Sequence, residues 1–224
     1  MNSQNSMAGK TTIPEYNWQE LYPHTKTLSS SQVLLYAENP SRFYTEYVLG
    51  VRQPPSVAMQ VGSIFSALHQ DRQFPYKEAL AEIAAPKHIA ALFEQVIINF
   101  PTIPAEVVQI ASHDGWKFRA TLDGYVKDDW TIIENKTGQT VWDQERVNFN
   151  QQMTFQAWVH WKKYKIIPKK ILLNWVNTKS RAPQALMTFK TSRTVKGLRM
   201  FENTINLVLE GIQTENWTRP IYEY

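Results

Sequence analysis

No cysteine occurs among the 224 residues. Disulfides, cysteine-ligated zinc and cysteine-ligated iron–sulfur clusters are thereby excluded. Glycine is scarce, with eight residues, and neither a phosphate-cradling glycine loop nor a dinucleotide-binding fingerprint is formed. No G-x-S-x-G elbow and no H-E-x-x-H helix is found, which removes two common hydrolase chemistries. There is no apolar run long enough to span a bilayer and no recognisable signal peptide, so the expectation is a cytoplasmic protein without a membrane partner. Neither sign of charge dominates. A net charge of +4 and a pI near 9.1 permit a polyanionic partner without demanding one. What remains is an ordinary globular composition, 43% hydrophobic and 20% charged, on a chain long enough for one large domain.

Residues 1–28 are rich in Ser, Asn and Thr and read as a polar tail and lead-in, leaving 29–224 as the domain. The segment 29–40 predicts a short helix capped by one of Ser29–Ser31 and broken at Pro40. Helices are expected over 41–50, closed by Gly50, and over 59–70, with Ile64, Phe65 and Leu68 inward. Two more follow, each opened by a proline, at 75–85 and 86–100. The character then changes. Residues 107–138 predict three strands in a meander, with His113-Asp114-Gly115 as the first turn. A helix over 148–165, strands at 171–177 and 185–191, and a long amphipathic helix complete the chain. That last helix should turn Val195, Leu198, Phe201, Ile205, Val208 and Ile212 inward. The expected fold class is α/β, a single domain with a central mixed sheet flanked by helices.

The meander holds the chemistry. If Asp128 and Asp129 make the turn, Lys127 faces Trp130, Asp123 falls opposite Glu134, and Thr121 falls opposite Lys136. Alternation along a strand and pairing across the hairpin then put Asp123, Glu134 and Lys136 on one face, with Ile133 on the other. Two carboxylates so close repel, and a divalent cation with a taste for oxygen ligands, Mg2+ or Mn2+, resolves the conflict. Lys136 would position a water or stabilise charge on a phosphate. From spacing alone, a solvated hairpin with a Lys–Glu pair is the commoner outcome.

The segment around this trio resembles the signature of PD-(D/E)XK nucleases, an Asp followed by Glu-x-Lys on the next strand. IIENKTG is similar to the RecB-type branch, which includes CRISPR-associated and phage RecE-like exonucleases, here without the iron–sulfur cysteines. Three further segments agree in order, over roughly residues 29–215. SSSQVLLYAENPSRF is similar to that branch's opening, with Asn39-Pro40 and Phe43 in the C-P-x-x-F frame. PPSVAMQVGSIFSALHQ resembles the Gly-x-x-x-His segment, and FNQQMTFQAW resembles the Gln-x-x-x-Tyr helix.

The resemblance implies a restriction-endonuclease-like fold and a metal-dependent deoxyribonuclease, an exonuclease in DNA processing or recombination of a phage or mobile element. It implies Asp123, Glu134, Lys136 and Gln152 as catalytic residues. Asp123, Glu134 and the Asn135 backbone carbonyl would hold the metal. DNA is the implied partner, with a recombination protein or a second copy as further possibilities. Two positions depart from the pattern. Counting from Gly62, the motif histidine falls on Ser66, a poor ligand, which leaves His69 or Gln70 one turn on as substitutes. The motif tyrosine is Gln156, part of a polar stripe with Gln152, His160 and Lys163 that either flanks the site or faces solvent. These departures keep an alternative open, a weakened nuclease fold that binds DNA or a protein partner. Arg42, Arg52, Lys163, Lys165, Lys169 and Lys170 read chiefly as solubilising charge, and Trp158, Trp161 and Trp175 as core.

Overall fold

A computed structural model of the chain describes residues 27–99, 106–179 and 186–222. Among the described residues seven strands form two mixed sheets. The smaller has the order β1-β3-β2, from β1 (Thr27–Ser29), β2 (Val107–His113) and β3 (Trp116–Leu122). The larger has the order β4-β5-β6-β7, from β4 (Gly124–Val126), β5 (Thr131–Gly138), β6 (Lys170–Asn177) and β7 (Leu186–Thr191). The central sheet expected from the sequence is therefore split. Its seam is Asp123, where β3 ends in one sheet and β4 begins in the other. Thr27 and Leu28, read with the tail, belong to β1, and Leu28 is fully buried. Residues 1–26 of that tail lie outside the described residues, as do residue 100 of the fifth expected helix and residue 185 of the last strand.

Local chemistry explains the boundaries. Asp114 and Gly115 both take positive φ (47° and 77°), which a two-residue β2–β3 hairpin turn requires. Helix α1 (Ser30–Glu38) opens with a capping box. Ser29 Oγ accepts the Gln32 N–H, and Gln32 Oε1 accepts the Ser29 N–H. Asn39 caps the next turn, α2 (Pro40–Phe43), which runs into a π-turn over Tyr44–Val48 before Gly50 at φ 71°. Helices α3 (Val57–Gln70), α4 (Tyr76–Glu82) and α5 (His88–Asn99) follow.

A short helix not expected from the sequence, α6 (Gln144–Asn148), comes next. The helix expected over 148–165 starts later, as α7 (Gln151–Tyr164), because Asn150 caps it by accepting the Met153 N–H at 3.0 Å. Arg193 fixes this corner. Its guanidinium donates to the Val147 and Asn150 carbonyls, to Thr191 Oγ1 and to Thr154 Oγ1 in the first turn of α7. Burial pushes its pKa down to about 10. Helix α8 (Val195–Gln213) closes the fold, and Leu198, Phe201, Ile205, Val208 and Ile212 face inward as expected. Val195, at its first position, is instead exposed.

Helices cover both faces of the larger sheet. On one side α1, α7 and α8 share a core with both sheets, Phe118 coming from β3, Trp175 from β6, and Phe155 and Trp158 from α7. Each such side chain contributes roughly 1.5–3 kcal/mol by leaving water. On the other face α3, α4 and α5 pack Phe65, Leu68 and Phe93 near Val176 of β6. Helix α3 lies close on β5 because Gly62 has no Cβ. One built there would stand 3.2 Å from Thr137 Oγ1. Among the described residues no helix is long and apolar enough to cross a membrane.

Candidate active site

Asp123, Glu134, Lys136 and Gln152 line one cavity of about 900 Å³. The β4–β5 register is the one the hairpin arithmetic predicts, with Gly124 opposite Ile133 and Val126 opposite Thr131. The turn is longer than two residues. Lys127–Asp129 make a 3-10 turn and Trp130 takes a left-handed φ of 52°. The pairing of Thr121 with Lys136 is not formed, because β3 gives its hydrogen bonds to β1 and β2. Instead the chain leaves β3 at Leu122, and Asp123 bridges the seam. Its Oδ2 accepts the backbone N–H of Asn135 at 2.7 Å. That bond pins the carboxylate beside Glu134.

Glu134 is almost completely buried, 2% exposed, yet carries an ion pair. Lys136 Nζ lies 2.6 Å from Oε1, and Gln152 Nε2 donates to the same oxygen at 2.7 Å. Gln152 Oε1 in turn accepts from Lys136 Nζ at 2.7 Å, which closes a three-membered ring and fixes the orientation of the amide. Gln156 Nε2 donates to Oε2 of Glu134 at 2.6 Å and to the Thr121 carbonyl at 3.3 Å. A buried carboxylate needs such charge-assisted donors to remain charged. It offers about four lone-pair positions, and three are filled, leaving one on Oε2.

Asp123 is in the opposite condition. Its Oδ1 has no hydrogen-bond donor among the described residues. Burial raises its pKa to about 7, and the neighbouring charge of Glu134 adds to the rise. The Asn135 N–H and Lys136 oppose it, and Glu106 across the cavity adds a little more. The protein alone thus leaves a site short of positive charge. Two carboxylates, one of them with an open oxygen, suit a hard divalent cation. Among the described residues no group of three His, Asp or Glu side chains gathers to hold one. Any cation here would rest on two side chains plus backbone oxygen and water.

Ser66 and Gln70 of α3 line the cavity. His69 does not. It is fully buried beside Phe65, with ring centroids 5.6 Å apart, because α3 turns that face toward its own core. The side chain of Asn135 also points away, joining Asn174 and Thr188 on the far face of the sheet. Of the polar stripe of α7 only Lys163 is exposed to solvent. Gln152 and Gln156 end on Glu134, and buried His160 sits among Tyr125, Trp130 and Tyr164. His160 bonds the Tyr125 hydroxyl and the Ile166 carbonyl, and burial lowers its pKa. Trp158 and Trp175 are core, as expected. Arg42 pairs with Glu46 and Lys170 with Asp129.

Among the cavity residues that sequence reasoning gave no part in the site are Glu106, Arg119 and Thr121. The last two were within reach of it. They precede Asp123 by four and two residues, so strand alternation alone places them on its side. Glu106 carries no such signal.

No protein-family model matches the chain, and no curated protein matches it significantly. The likeness to solved structures lies in the fold. This is a single mixed α/β domain whose fold is shared with a solved structure at low sequence identity. A candidate exonuclease from Eubacterium rectale superposes with a TM-score of 0.59 at 14% identity, over 91% of this chain and 84% of that one. LHK-Exo, an alkaline exonuclease from Laribacter hongkongensis, gives 0.48 at 14% identity, over 88% and 92%.

Proposed function

We propose that this chain is a divalent-metal-dependent deoxyribonuclease of PD-(D/E)XK type, in the RecB-type or phage RecE-like branch, acting from DNA ends. One observation carries the reading. Asp123 is clamped beside Glu134, and Glu134, Lys136 and Gln152 form a closed hydrogen-bonded ring at the wall of an open cavity. A merely solvated hairpin would not bury Glu134 or surround it with amide donors.

Asp123 Oδ1, Glu134 Oε2 and the Asn135 carbonyl are the oxygens that would hold Mg2+ or Mn2+. When bound, such an ion lowers the pKa of a coordinated water and offsets phosphate charge. The protein's own groups do the rest. Lys136 has three N–H donors and spends two on Glu134 and Gln152, so one remains for the attacking water or a phosphate oxygen. Gln152 and Gln156 hold Glu134 in one rotamer by donating to both of its oxygens. In the hydrolysis the water oxygen bonds to phosphorus, the bond to one sugar oxygen breaks, and that oxygen takes up a proton. Lys136 is positioned to stabilise the added negative charge on phosphorus oxygens.

Incubation with linear and with circular DNA, in Mn2+, Mg2+ or EDTA, tests the reading. Degradation of linear DNA alone, stopped by EDTA, is the expected result. No metal-dependent loss of either substrate would overturn it. A second reading, a fold that grips DNA without cutting, is favoured by Ser66 at the position of the motif histidine and by the two-carboxylate site. Binding without cleavage would select it.

A further inference from the structure

Among the described residues no helix covers the outward face of the smaller sheet. Strands alternate, and the inward residues of β3, namely Trp116, Phe118, Ala120 and Leu122, are buried. Its outward residues are Lys117, Arg119 and Thr121, the first two exposed. Across the β2–β3 ladder these stand opposite Ser112, Ile110 and Val108. Ile110 is 46% exposed and Val108 40%. Neither Lys117 nor Arg119 has an ion-pair partner among the described residues. The face is continuous with the cavity, since Thr121, Arg119 and Ser29 of β1 also line its wall.

We propose that this face is the track for an unpaired nucleic-acid strand leading to the cavity; the proposal rests on the nuclease reading of that cavity. β3 runs toward Asp123, so Thr121, Arg119 and Lys117 retreat from the site in single file. Alternate residues on a strand are roughly 6.4–6.8 Å apart, close to the interval between phosphates of an extended strand. Arg119 and Lys117 therefore meet successive phosphates. The apolar half of the face decides between single strand and duplex. A duplex turns only sugar and phosphate outward and gains nothing from Val108 and Ile110. An unpaired strand has base faces to lay against them. A substrate reaches Lys117 once it extends about three nucleotides beyond the scissile bond.

The test is binding of fluorescent oligothymidylates of about 3 and about 12 nucleotides, lengths that bracket the track, in EDTA. A hairpin duplex of matched length serves as the comparison. Wild-type protein should bind the long single strand more tightly than the short one or the duplex. Lys117→Gln should cut the long-to-short affinity ratio by about fivefold or more and reduce the salt slope by about 0.7, one phosphate contact. Lys117→Arg should restore both. Ile110→Ser should reduce the preference for single strand over duplex. A misfolded variant would weaken all ligands together and leave the ratios unmoved. An unchanged ratio in a Lys117→Gln protein that still binds the short oligothymidylate as tightly as wild type overturns the track, and so does equal binding of duplex. A dimer in light scattering that Ile110→Ser dissociates would also overturn it, since a second copy would then cover the face. The nuclease reading fails separately. A protein that binds along this face and cuts nothing in Mn2+ loses the activity and keeps the track.

Discussion

Gln156 donates its amide N–H to Oε2 of Glu134 at 2.6 Å, from the helix position where the resembling family has tyrosine. Both groups are buried. A hydrogen bond to a buried charge is worth about 1.5–3 kcal/mol, and removing one partner exposes the other to the cost of desolvation. Gln156→Leu should therefore lower the melting temperature and slow single-turnover cleavage by about tenfold or more. Gln156→Glu should do worse on both, because it places a third carboxylate against Glu134. Melting curves and single-turnover rates check this. A Gln156→Leu protein with wild-type rate would remove Gln156 from the site.

Lys136→Ala should reduce cleavage by about a hundredfold or more, the usual cost of losing a group that stabilises transition-state charge. The fold should survive, since Lys136 is partly exposed and Gln152 and Gln156 still donate to Glu134. Circular dichroism with a timed digestion of linear DNA separates the two effects. Full activity in this variant would sink the assignment of the site.

How far the sequence could be read depended on range. The β4–β5 register was legible because both strands and their turn lie within fifteen residues, and alternation does the rest. The cap at Ser29 and the hairpin turn at Asp114-Gly115 were legible for the same reason. The split of the sheet was not, because β3 is claimed by β1, about ninety residues earlier, and no local pattern announces a parallel partner. The position of Gln156 needed the packing of α7 across β2 and β3, which brings it to the Thr121 carbonyl and Glu134. Its stripe of Gln, His and Lys looks on paper like a wet helix face. The burial of His69 likewise follows from α3 being covered on the side it shares with α5, which spacing along one helix does not show.

The raised pKa of Asp123 has a sign that can be checked without any assay of activity. A carboxyl at about 7 in the folded state, against the usual 3.9 or so unfolded, binds more protons when folded. Stability without metal should therefore fall as pH rises from about 4 to about 7, at up to about 1.4 kcal/mol per unit from this group. Asp123→Asn removes the charge, so in EDTA it should melt higher than wild type at pH 8 and alike at pH 4. Adding Mn2+ at pH 8 should raise the melting point of wild type and leave that of Asp123→Asn nearly unmoved. A variant that melts lower than wild type at pH 8 in EDTA would contradict the strained carboxyl.

Arg193 makes the last prediction, and it concerns the support of the site rather than the site. Its planar fork ties the end of α6, the cap of α7 and β7 to one point, and Gln152 lies in the turn so fastened. A lysine keeps the charge but cannot reproduce five directed donors. Arg193→Lys should cost on the order of 3 kcal/mol, or roughly 6–12 °C in melting temperature. If the corner acts by holding α7, the damage extends beyond stability. The loosened first turn of α7 should weaken the Gln152 contacts with Glu134 and Lys136, so cleavage at a temperature well below melting should fall while DNA binding in EDTA stays. Loss of stability with unchanged cleavage would confine Arg193 to the fold.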